Sequence, residues 1–283
     1  MKSFISLEEA IDILDENVKA IGTEEIDLIN ATGRVLAEDI YSLIDNPPFN
    51  KSAMDGYAIL AENSGSNDKI KIIDKVFAGE VSNYEVTNKT AIRIMTGAPI
   101  PNGANAVIKQ EDTIKNDEEH ITLTKKIKAN DNICFKGEDI KKGSKLIEIG
   151  EKLSHVHIGI IASMGYEKVK VIRRPKVALI STGDEVICGG KPLTEGKIYD
   201  SNRRMIASRL EELGCEVVVA EVMGDDENLI ANEIKEIIKN VDVVFTTGGV
   251  SVGKKDIMHQ VIKILDAKRV FWRVNMKPGT PAI

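Results

Sequence analysis

The sequence predicts a multidomain protein that combines α+β and α/β architecture. We expect a discontinuous helical domain, an inserted β-barrel-like domain, and an α/β domain with a mostly parallel sheet. Three observations predict this: a helical apolar pattern at the start, short β-rich runs in the middle, and alternating strand and helix patterns from residue 175 onward. A length of 283 residues allows two or three domains. The expected boundaries are 1–41 plus 142–172, then 42–141, then 173–283.

The chain is expected to begin with an amphipathic helix. Ser6 and Glu9 have the spacing of a capping box, and apolar residues follow at helical intervals from Leu7 to Ile21. Residues Leu153–Met164 return to a helical pattern. We therefore expect the two helices to pack side by side in one discontinuous domain.

Short β-rich runs separated by Gly, Pro and Asn clusters predict the inserted β domain. The predicted strands are Lys69–Val76, Thr90–Met95, Ala106–Gln110 and His120–Ile127.

Strand and helix patterns alternate in the last third of the chain. The strands are almost wholly apolar, which predicts a parallel sheet covered on both faces. The predicted strands are Lys176–Ile180, Glu216–Val222, Val241–Thr246 and Val270–Val274, and the predicted helices are Asn202–Leu213, Glu227–Lys239 and Asp256–Leu265. The sequence stops within an apolar, β-like segment, so we expect it to be part of a longer chain.

Composition excludes several classes of function. With 38 basic and 44 acidic residues the net charge is −6, which argues against a dedicated nucleic-acid or anionic-membrane binder. Three scattered cysteines without a C-x-x-C pair favour neither a disulfide framework nor a zinc site. Neither a signal peptide nor a membrane span is recognisable, so we expect a cytoplasmic location.

The loops after the parallel strands are the expected ligand site, because ligands of such sheets bind beyond the carboxyl ends of the strands. These loops are Ser181–Glu185, Gly224–Asp226 and Thr247–Asp256. Glycine backbone and hydroxyl groups suit a phosphate. The residues concerned are Thr247, Gly248, Gly249, Ser251 and Gly253.

The same loops carry carboxylates that would repel a phosphate, and a bridging Mg²⁺ would remove that repulsion. The predicted metal ligands are Asp184, Glu185, Asp225, Asp226 and Asp256. The alternative is that Asp and Gly only build turns and helix caps, as Asp225 or Asp226 before Glu227 could. Neither a dinucleotide fingerprint nor a Walker motif occurs. His155 and His157 are expected to be structural, since a spacing of two places them on different helix faces.

The proline-rich segment Asn46–Ala58 is a functional loop or a rigid connector, and physical reasoning alone leaves both open. Its pattern P-x-F-x-x-S-A-M-D-G-Y-A resembles the signature of the MoeA family of molybdopterin molybdenumtransferases, which includes the E domain of gephyrin. Further matches follow in family order: Met95–Pro99, Gly137–Ile140, Leu179–Glu185, Tyr199–Asn202, Thr246–Gly253 with Asp256, and Met276–Gly279.

The resemblance implies a cytoplasmic homodimer that inserts molybdate into adenylylated molybdopterin and releases AMP with the help of Mg²⁺. It implies a MogA-like α/β domain and a C-terminal β domain beyond the present sequence. The cleft would lie between the α/β domain of one subunit and the β domain of the other. A molybdopterin adenylyltransferase and molybdoenzyme apoproteins are the expected partners.

Carried onto this sequence, the resemblance assigns catalytic residues to both domains. Asp55 and Thr96 would position substrate or molybdate from the β domain. In the α/β domain, the motifs add four substrate-binding residues: Thr182, Gly183, Ser201 and Asn202. The catalytic residues of this domain would be Glu185, Asp256 and Lys277, together with Asp225 or Asp226. Thr280 stands where the family often has a second basic residue. One contact for an anion would therefore be missing at this position or supplied by another residue.

Two other functions remain open. A MogA-like molybdopterin adenylyltransferase would share the α/β domain, but the region before Pro175, with Ser52–Tyr57, favours metal insertion. A non-catalytic molybdopterin-binding scaffold would not need Asp55, Glu185 and Asp256. The sequence does not distinguish molybdate from tungstate.

Overall fold

A computed structural model describes residues 2–63, 69–249 and 257–280 of the chain. Nineteen strands and five α-helices lie within these ranges. The strands are β1 (Lys2–Ile5), β2 (Thr23–Asp27), β3 (Ile40–Tyr41), β4 (Lys51–Ser52), β5 (Gly56–Ile59), β6 (Lys69–Val76), β7 (Thr90–Ile94), β8 (Ala106–Lys109), β9 (Thr113–Lys115), β10 (His120–Leu123), β11 (Ile133–Cys134), β12 (Lys145–Ile147), β13 (Lys168–Ile172), β14 (Lys176–Thr182), β15 (Val186–Ile187), β16 (Ile198–Tyr199), β17 (Glu216–Met223), β18 (Val243–Thr247) and β19 (Phe271–Val274). The helices are α1 (Leu7–Asn17), α2 (His155–Ser163), α3 (Asn202–Glu212), α4 (Glu227–Ile237) and α5 (Ile257–Ile264).

The chain divides into two compact units. The first comprises Met1–Ala37, Lys152–Ser154 and Lys168–Ile283, and the second comprises Glu38–Glu151 and His155–Glu167. Helix α1 belongs to the first unit and α2 to the second. The boundaries of the three predicted domains, and the predicted packing of these two helices, stay predictions.

The first unit contains the predicted parallel sheet, in the strand order β17-β14-β18. The central strand β14 is apolar on both faces, and its residues Val177, Ala178, Leu179 and Ile180 are all buried. On one face, apolar side chains of α4 and α5 pack against Ala178 and Ile180 to form the core. Helix α3 contacts β14 and β17. The alternation of strands and helices predicted for this region is confirmed.

Three further strand pairs lie in the described part of the first unit, and one of them is the short parallel pair β15–β16. Strand β1, which the sequence analysis does not predict, pairs in parallel with β19. Helix α1 follows directly, and the hydroxyl of its N-cap Ser6 accepts a hydrogen bond from the Glu9 backbone N–H at 3.1 Å, as the capping-box spacing predicts. Strands β2 and β13 pair antiparallel over five residues each.

The second unit is built on a six-stranded mixed sheet in the order β8-β5-β7-β6-β10-β9. Only the β6–β7 pair is parallel. Both faces are covered, because Tyr57 and Ile59 belong to one buried cluster and Ala58 between them belongs to another. The end strands β8 and β9 do not pair with each other, so the sheet is an open half-barrel where the sequence predicts a barrel-like domain. Three of the four predicted strands match β6, β7 and β8 to within one residue, whereas the strand predicted as His120–Ile127 ends at Leu123 as β10.

None of the helices in the described residues is both long enough and apolar enough to cross a membrane.

Candidate functional site

The three Gly- and acid-rich loops of the α/β region follow adjacent strands. Thr182 at the end of β14 is in register with Met223 of β17, and Ser181 is in register with Thr247 of β18. Because all three strands are parallel, the loops that follow them start at one edge of the sheet. The predicted convergence of the loops is therefore observed.

The side of this edge between β14 and β18 is closely packed. The Thr182 hydroxyl donates to the Thr247 carbonyl at 3.3 Å, and the Thr247 hydroxyl donates to Ser181 Oγ at 3.2 Å. Gly248 has a φ of +94°, and a Cβ there would collide with the Thr182 carbonyl oxygen. Gly249 follows with a φ of +64°. The glycines thus allow the close approach of two backbone segments.

On the β17 side, a carboxylate of the loop after β14 contacts the backbone of the loop after β17. Asp184 Oδ1 accepts the Asp225 backbone N–H at 3.0 Å. The Glu185 carboxylate folds back over Gly183, where a Cβ would stand 2.9 Å from Glu185 Oε2. The contact between Asp184 and Asp225 joins the loops after β14 and β17. The φ of +143° at position 183 explains why this residue is glycine.

Asp226 has a separate role as the N-cap of α4. Its Oδ1 accepts the backbone N–H groups of Asn228 and Leu229, both at 2.9 Å. This is the helix-cap alternative that the sequence left open, and it applies to Asp226. Asp225, the neighbour that contacts Asp184, remains the better candidate for a functional carboxylate.

The donor set fits Mg²⁺ only if substrate and water complete it. Within residues 2–63, 69–249 and 257–280, no three His, Cys, Asp or Glu side chains are arranged to hold a metal ion. Magnesium commonly takes one or two carboxylates together with phosphate oxygens and water. Asp184, Glu185 and Asp225 provide carboxylates for such a site. The remaining predicted residues, Ser251, Gly253 and Asp256, lie outside the described residues.

A pocket of about 290 Å³ opens at the carboxyl ends of β14 and β17. Gly183, Asp184 and Gly224 line it, and so do two lysines, Lys191 and Lys197, from the segment between β15 and β16. Lys197 Nζ donates to the Asp184 carbonyl oxygen at 2.6 Å. The sequence analysis does not identify these lysines, because they belong to a loop that follows no strand of the parallel sheet.

The motif Tyr199–Asn202 contributes a buried ion pair. Asp200 and Arg203 have side chains only 2% and 7% exposed, and the Asp200 carboxylate accepts both the Nε–H and the backbone N–H of Arg203. Arg203 Nη1 donates to the Ala220 carbonyl of β17 at 2.7 Å. Ser201 and Asn202, the predicted binding residues, are exposed at the start of α3. Asp200 therefore fixes this helix start to the sheet.

In the second unit, the two motif residues of the β domain contact each other. Asp55 Oδ1 accepts the backbone N–H of Thr96 at 2.8 Å and the Thr96 hydroxyl at 2.7 Å. The backbone N–H bond and then the hydroxyl bond lower the pKa of Asp55, with a smaller contribution from the charge of Arg93. Asp55 is thus an exposed carboxylate that is held ionised and oriented.

Neighbouring loops hold the Asp55 segment in place. The Ser52 hydroxyl donates to the Met54 carbonyl at 2.6 Å, and Asn50 Oδ1 accepts the Lys136 backbone N–H at 2.8 Å. The Pro47 carbonyl accepts the backbone N–H of Gly137 at 2.9 Å. The three matched motifs that begin at Pro47, Met95 and Gly137 therefore contact one another in the folded chain.

Lys277 is exposed just after β19. Its loop is closed by Thr280, whose hydroxyl donates to the Met276 carbonyl at 2.6 Å. Among the described strands, β19 pairs only with β1, so Lys277 does not follow a strand of the three-stranded sheet. His155 lies exposed in the first turn of α2, and His157 lies two residues on. The assignment of functional roles to Lys277 and the other site residues stays a prediction.

Comparison with known proteins identifies the family. The model of the MoeA N-terminal region (domain I and II) matches residues 5–165, and that of a probable molybdopterin binding domain matches residues 178–283. The molybdopterin molybdenumtransferase of Haemophilus influenzae is 41% identical over 259 residues, covering 92% of this chain and 64% of that protein. The protein of the same name from Staphylococcus aureus is 39% identical, covering 98% of this chain and 67% of its own length.

Solved structures agree with this result. Two crystal structures of the molybdopterin biosynthesis MoeA protein from Pyrococcus horikoshii superpose with TM-scores of 0.85 and 0.83, at 35% and 34% identity. Each alignment covers 98% of this chain and 71% of the other. The chain spans about two thirds of the length of the curated relatives it matches. On the strength of the family match, the sequence similarity and the shared fold, the chain belongs to the MoeA family.

Proposed function

We propose that the chain acts in molybdenum cofactor biosynthesis as a molybdopterin molybdenumtransferase. It would insert molybdate into adenylylated molybdopterin, with Mg²⁺-dependent release of AMP. The observation that carries the proposal is the convergence of the loops after β14, β17 and β18, which brings backbone N–H groups and carboxylates to one sheet edge. The curated relatives named molybdopterin molybdenumtransferase support the metal-transfer part of this proposal.

The carboxylates of this edge would serve a phosphate-bearing substrate through a metal ion. One or two of the carboxylates of Asp184, Glu185 and Asp225 would hold Mg²⁺ together with phosphate oxygens and water, and the bound ion would neutralise phosphate charge. The Asp225 backbone N–H donates to Asp184 Oδ1 at 3.0 Å and so holds this carboxylate at the sheet edge. Asp225 is preferred over Asp226, because the Asp226 Oδ1 already caps α4.

The Asp55–Thr96 pair would orient the substrate from the second unit. Its two hydrogen bonds keep the Asp55 carboxylate ionised, and Oδ2 makes no hydrogen bond with the described residues. Lys277 would attract molybdate as a point charge. The proposal includes a cytoplasmic homodimer, as the family resemblance implies. Its partners would be an adenylyltransferase that supplies the substrate and apoenzymes that take up the product.

Anaerobic incubation of the chain with adenylylated molybdopterin, Mg²⁺ and molybdate tests the proposal. We expect molybdate-dependent AMP release, loss of that release in Asp225→Asn, and retention of it in Asp226→Asn, since asparagine also caps helices. Equal activity of Asp225→Asn and the unchanged chain would contradict the assigned role. Tight pterin binding without AMP release would favour the scaffold alternative, and synthesis of adenylylated molybdopterin from ATP would favour the adenylyltransferase.

A further inference from the structure

The loop between β15 and β16 supplies positive charge to a sheet edge that otherwise carries carboxylates. The pocket of about 290 Å³ is lined by Lys191 and Lys197 together with Gly183, Asp184 and Gly224. Its volume is several times the roughly 30 Å³ that one water molecule occupies in the liquid, so a phosphate group fits within it. The pocket therefore combines two cationic side chains with the glycine backbone of Gly183 and Gly224, beside which the carboxylates of Glu185 and Asp184 lie.

Hydrogen bonds hold the side chain of Lys197 and the backbone of Lys191 at the pocket. Lys197 Nζ donates to the Asp184 carbonyl at 2.6 Å, which leaves two of its three N–H groups for a ligand. The Lys191 carbonyl accepts the Tyr199 hydroxyl at 2.8 Å, and this anchors the Lys191 backbone to β16. The side chain of Lys191 makes no hydrogen bond or ion pair with the described residues.

A buried cation lies under the same pocket. Cys188 lines the pocket wall, and its Sγ is 4.0 Å from Nη2 of Arg203. Asp200 neutralises Arg203, so the pair adds no net charge, but it fixes the base of the loop against β17 through the Ala220 carbonyl. Arg203 thus links α3 to β17 and to the pocket wall at Cys188.

We propose that Lys191 and Lys197 form a phosphate-binding subsite on the β17 side of the sheet edge. The inference rests on the proposed function, because the ligand would be a phosphate group of adenylylated molybdopterin. On the β18 side, Gly248 and Thr182 are in close contact. The subsite would also reduce the repulsion between the phosphate and the carboxylates, because two ammonium groups offset the charges of Asp184 and Asp225.

Equilibrium binding of inorganic pyrophosphate, AMP and molybdate to the 283-residue chain tests the subsite by titration calorimetry. Lys191→Met removes a charge without removing a contact within the described residues, and Lys197→Gln retains a donor for the Asp184 carbonyl. The control is Lys239→Met, whose ammonium pairs with Glu236 at the end of α4. Each pocket variant should weaken pyrophosphate binding by about 10- to 100-fold, the range for a hydrogen bond to a charged group. The control should bind as the unchanged chain does.

The salt dependence separates a charge effect from a structural one. Pyrophosphate binding to the unchanged chain should weaken more steeply with added salt than binding to either pocket variant. Unchanged pyrophosphate and AMP affinity in both variants would overturn the inference, and so would molybdate affinity that falls while phosphate affinity does not. AMP release that stays normal at low substrate concentration in both variants would overturn the subsite and leave the reaction standing. Pyrophosphate binding lost in the variants of a chain that never releases AMP would support the subsite and refute the reaction.

Discussion

The buried Asp200–Arg203 pair is predicted to be a principal stabilising contact of the first unit. Asp200→Asn keeps the size of the side chain and removes its charge, leaving the Arg203 guanidinium buried without a counter-charge. The two side chains are 2% and 7% exposed, so water does not replace the lost partner. Breaking a buried ion pair from one side costs about 3–5 kcal/mol. We expect a loss of this size in the free energy of unfolding.

The chain contains a matched exposed pair on the same helix. Arg209 and Glu212 have the same sequence spacing of three, but their side chains are 66% and 64% exposed. Glu212→Gln should therefore cost less than about 1 kcal/mol. The comparison isolates burial as the cause of the difference.

Urea unfolding followed by tryptophan fluorescence measures both variants. Trp272 is the single tryptophan and lies in the same unit as Asp200, so its signal reports on that unit. Asp200→Leu combined with Arg203→Met removes both charges and should be less destabilising than Asp200→Asn alone. Equal effects of Asp200→Asn and Glu212→Gln would refute the reasoning, because burial would then not decide the contribution of the pair.

Three further predictions concern single contacts. Thr96→Val removes the hydroxyl donor and should raise the pKa of Asp55 toward its ordinary value, as a carboxyl NMR titration would show. The pair with Arg173 lowers the pKa of Asp242 from 3.8 to about 2, so this carboxylate contributes stability above pH 4 that is lost as the pH falls toward 2. In Asp242→Asn, the free energy of unfolding should therefore lack the decrease that this carboxylate causes as the pH falls from 4 toward 2. Gly248→Ala should destabilise the chain by about 1–3 kcal/mol in urea unfolding, through strain and collision.

Each of these predictions has a control or a contradicting result. An Asp55 pKa that does not move in Thr96→Val would mean that the backbone N–H alone sets it. Acid unfolding of Asp242→Asn parallel to that of the unchanged chain would contradict the assignment of the low pKa. Gly190 has a similar φ of +89° with open space around it, so Gly190→Ala should cost less than Gly248→Ala. An equal cost at the two glycines would show that φ strain alone is responsible.

Strong local patterns made much of the fold predictable. Helix α1 was located by its capping box, and β6 was predicted with the observed bounds of Lys69–Val76 because it lies between clear turn signals. Strand β1 was missed, since Lys2–Ile5 is too short to show a pattern and its partner β19 is far away in sequence. Whether the six-stranded sheet closes into a barrel or stays open depends on which strands pair, and the sequence of a single strand does not determine its partner.

The site was predictable in part for the same reason. Alternating strands and helices placed the Gly- and acid-rich loops at one edge, and that holds for Asp184 and Asp225. The sequence could not assign the cap to Asp226 in preference to its neighbour, because the choice depends on where α4 begins. Lys197 was missed because its contact with the Asp184 carbonyl depends on the path of a loop, which carries no periodic signal.

The arrangement of the two units in sequence has a consequence for synthesis on the ribosome. All six strands of the half-barrel sheet lie between Gly56 and Leu123, so this sheet can form before the rest of the chain has been made. Strand β1 emerges first of all, yet its partner begins at Phe271. Because chains emerge N-terminus first, the opening strand must wait unpaired until nearly all of this sequence has been made. The half-barrel is therefore expected to fold before the β1–β19 pair forms.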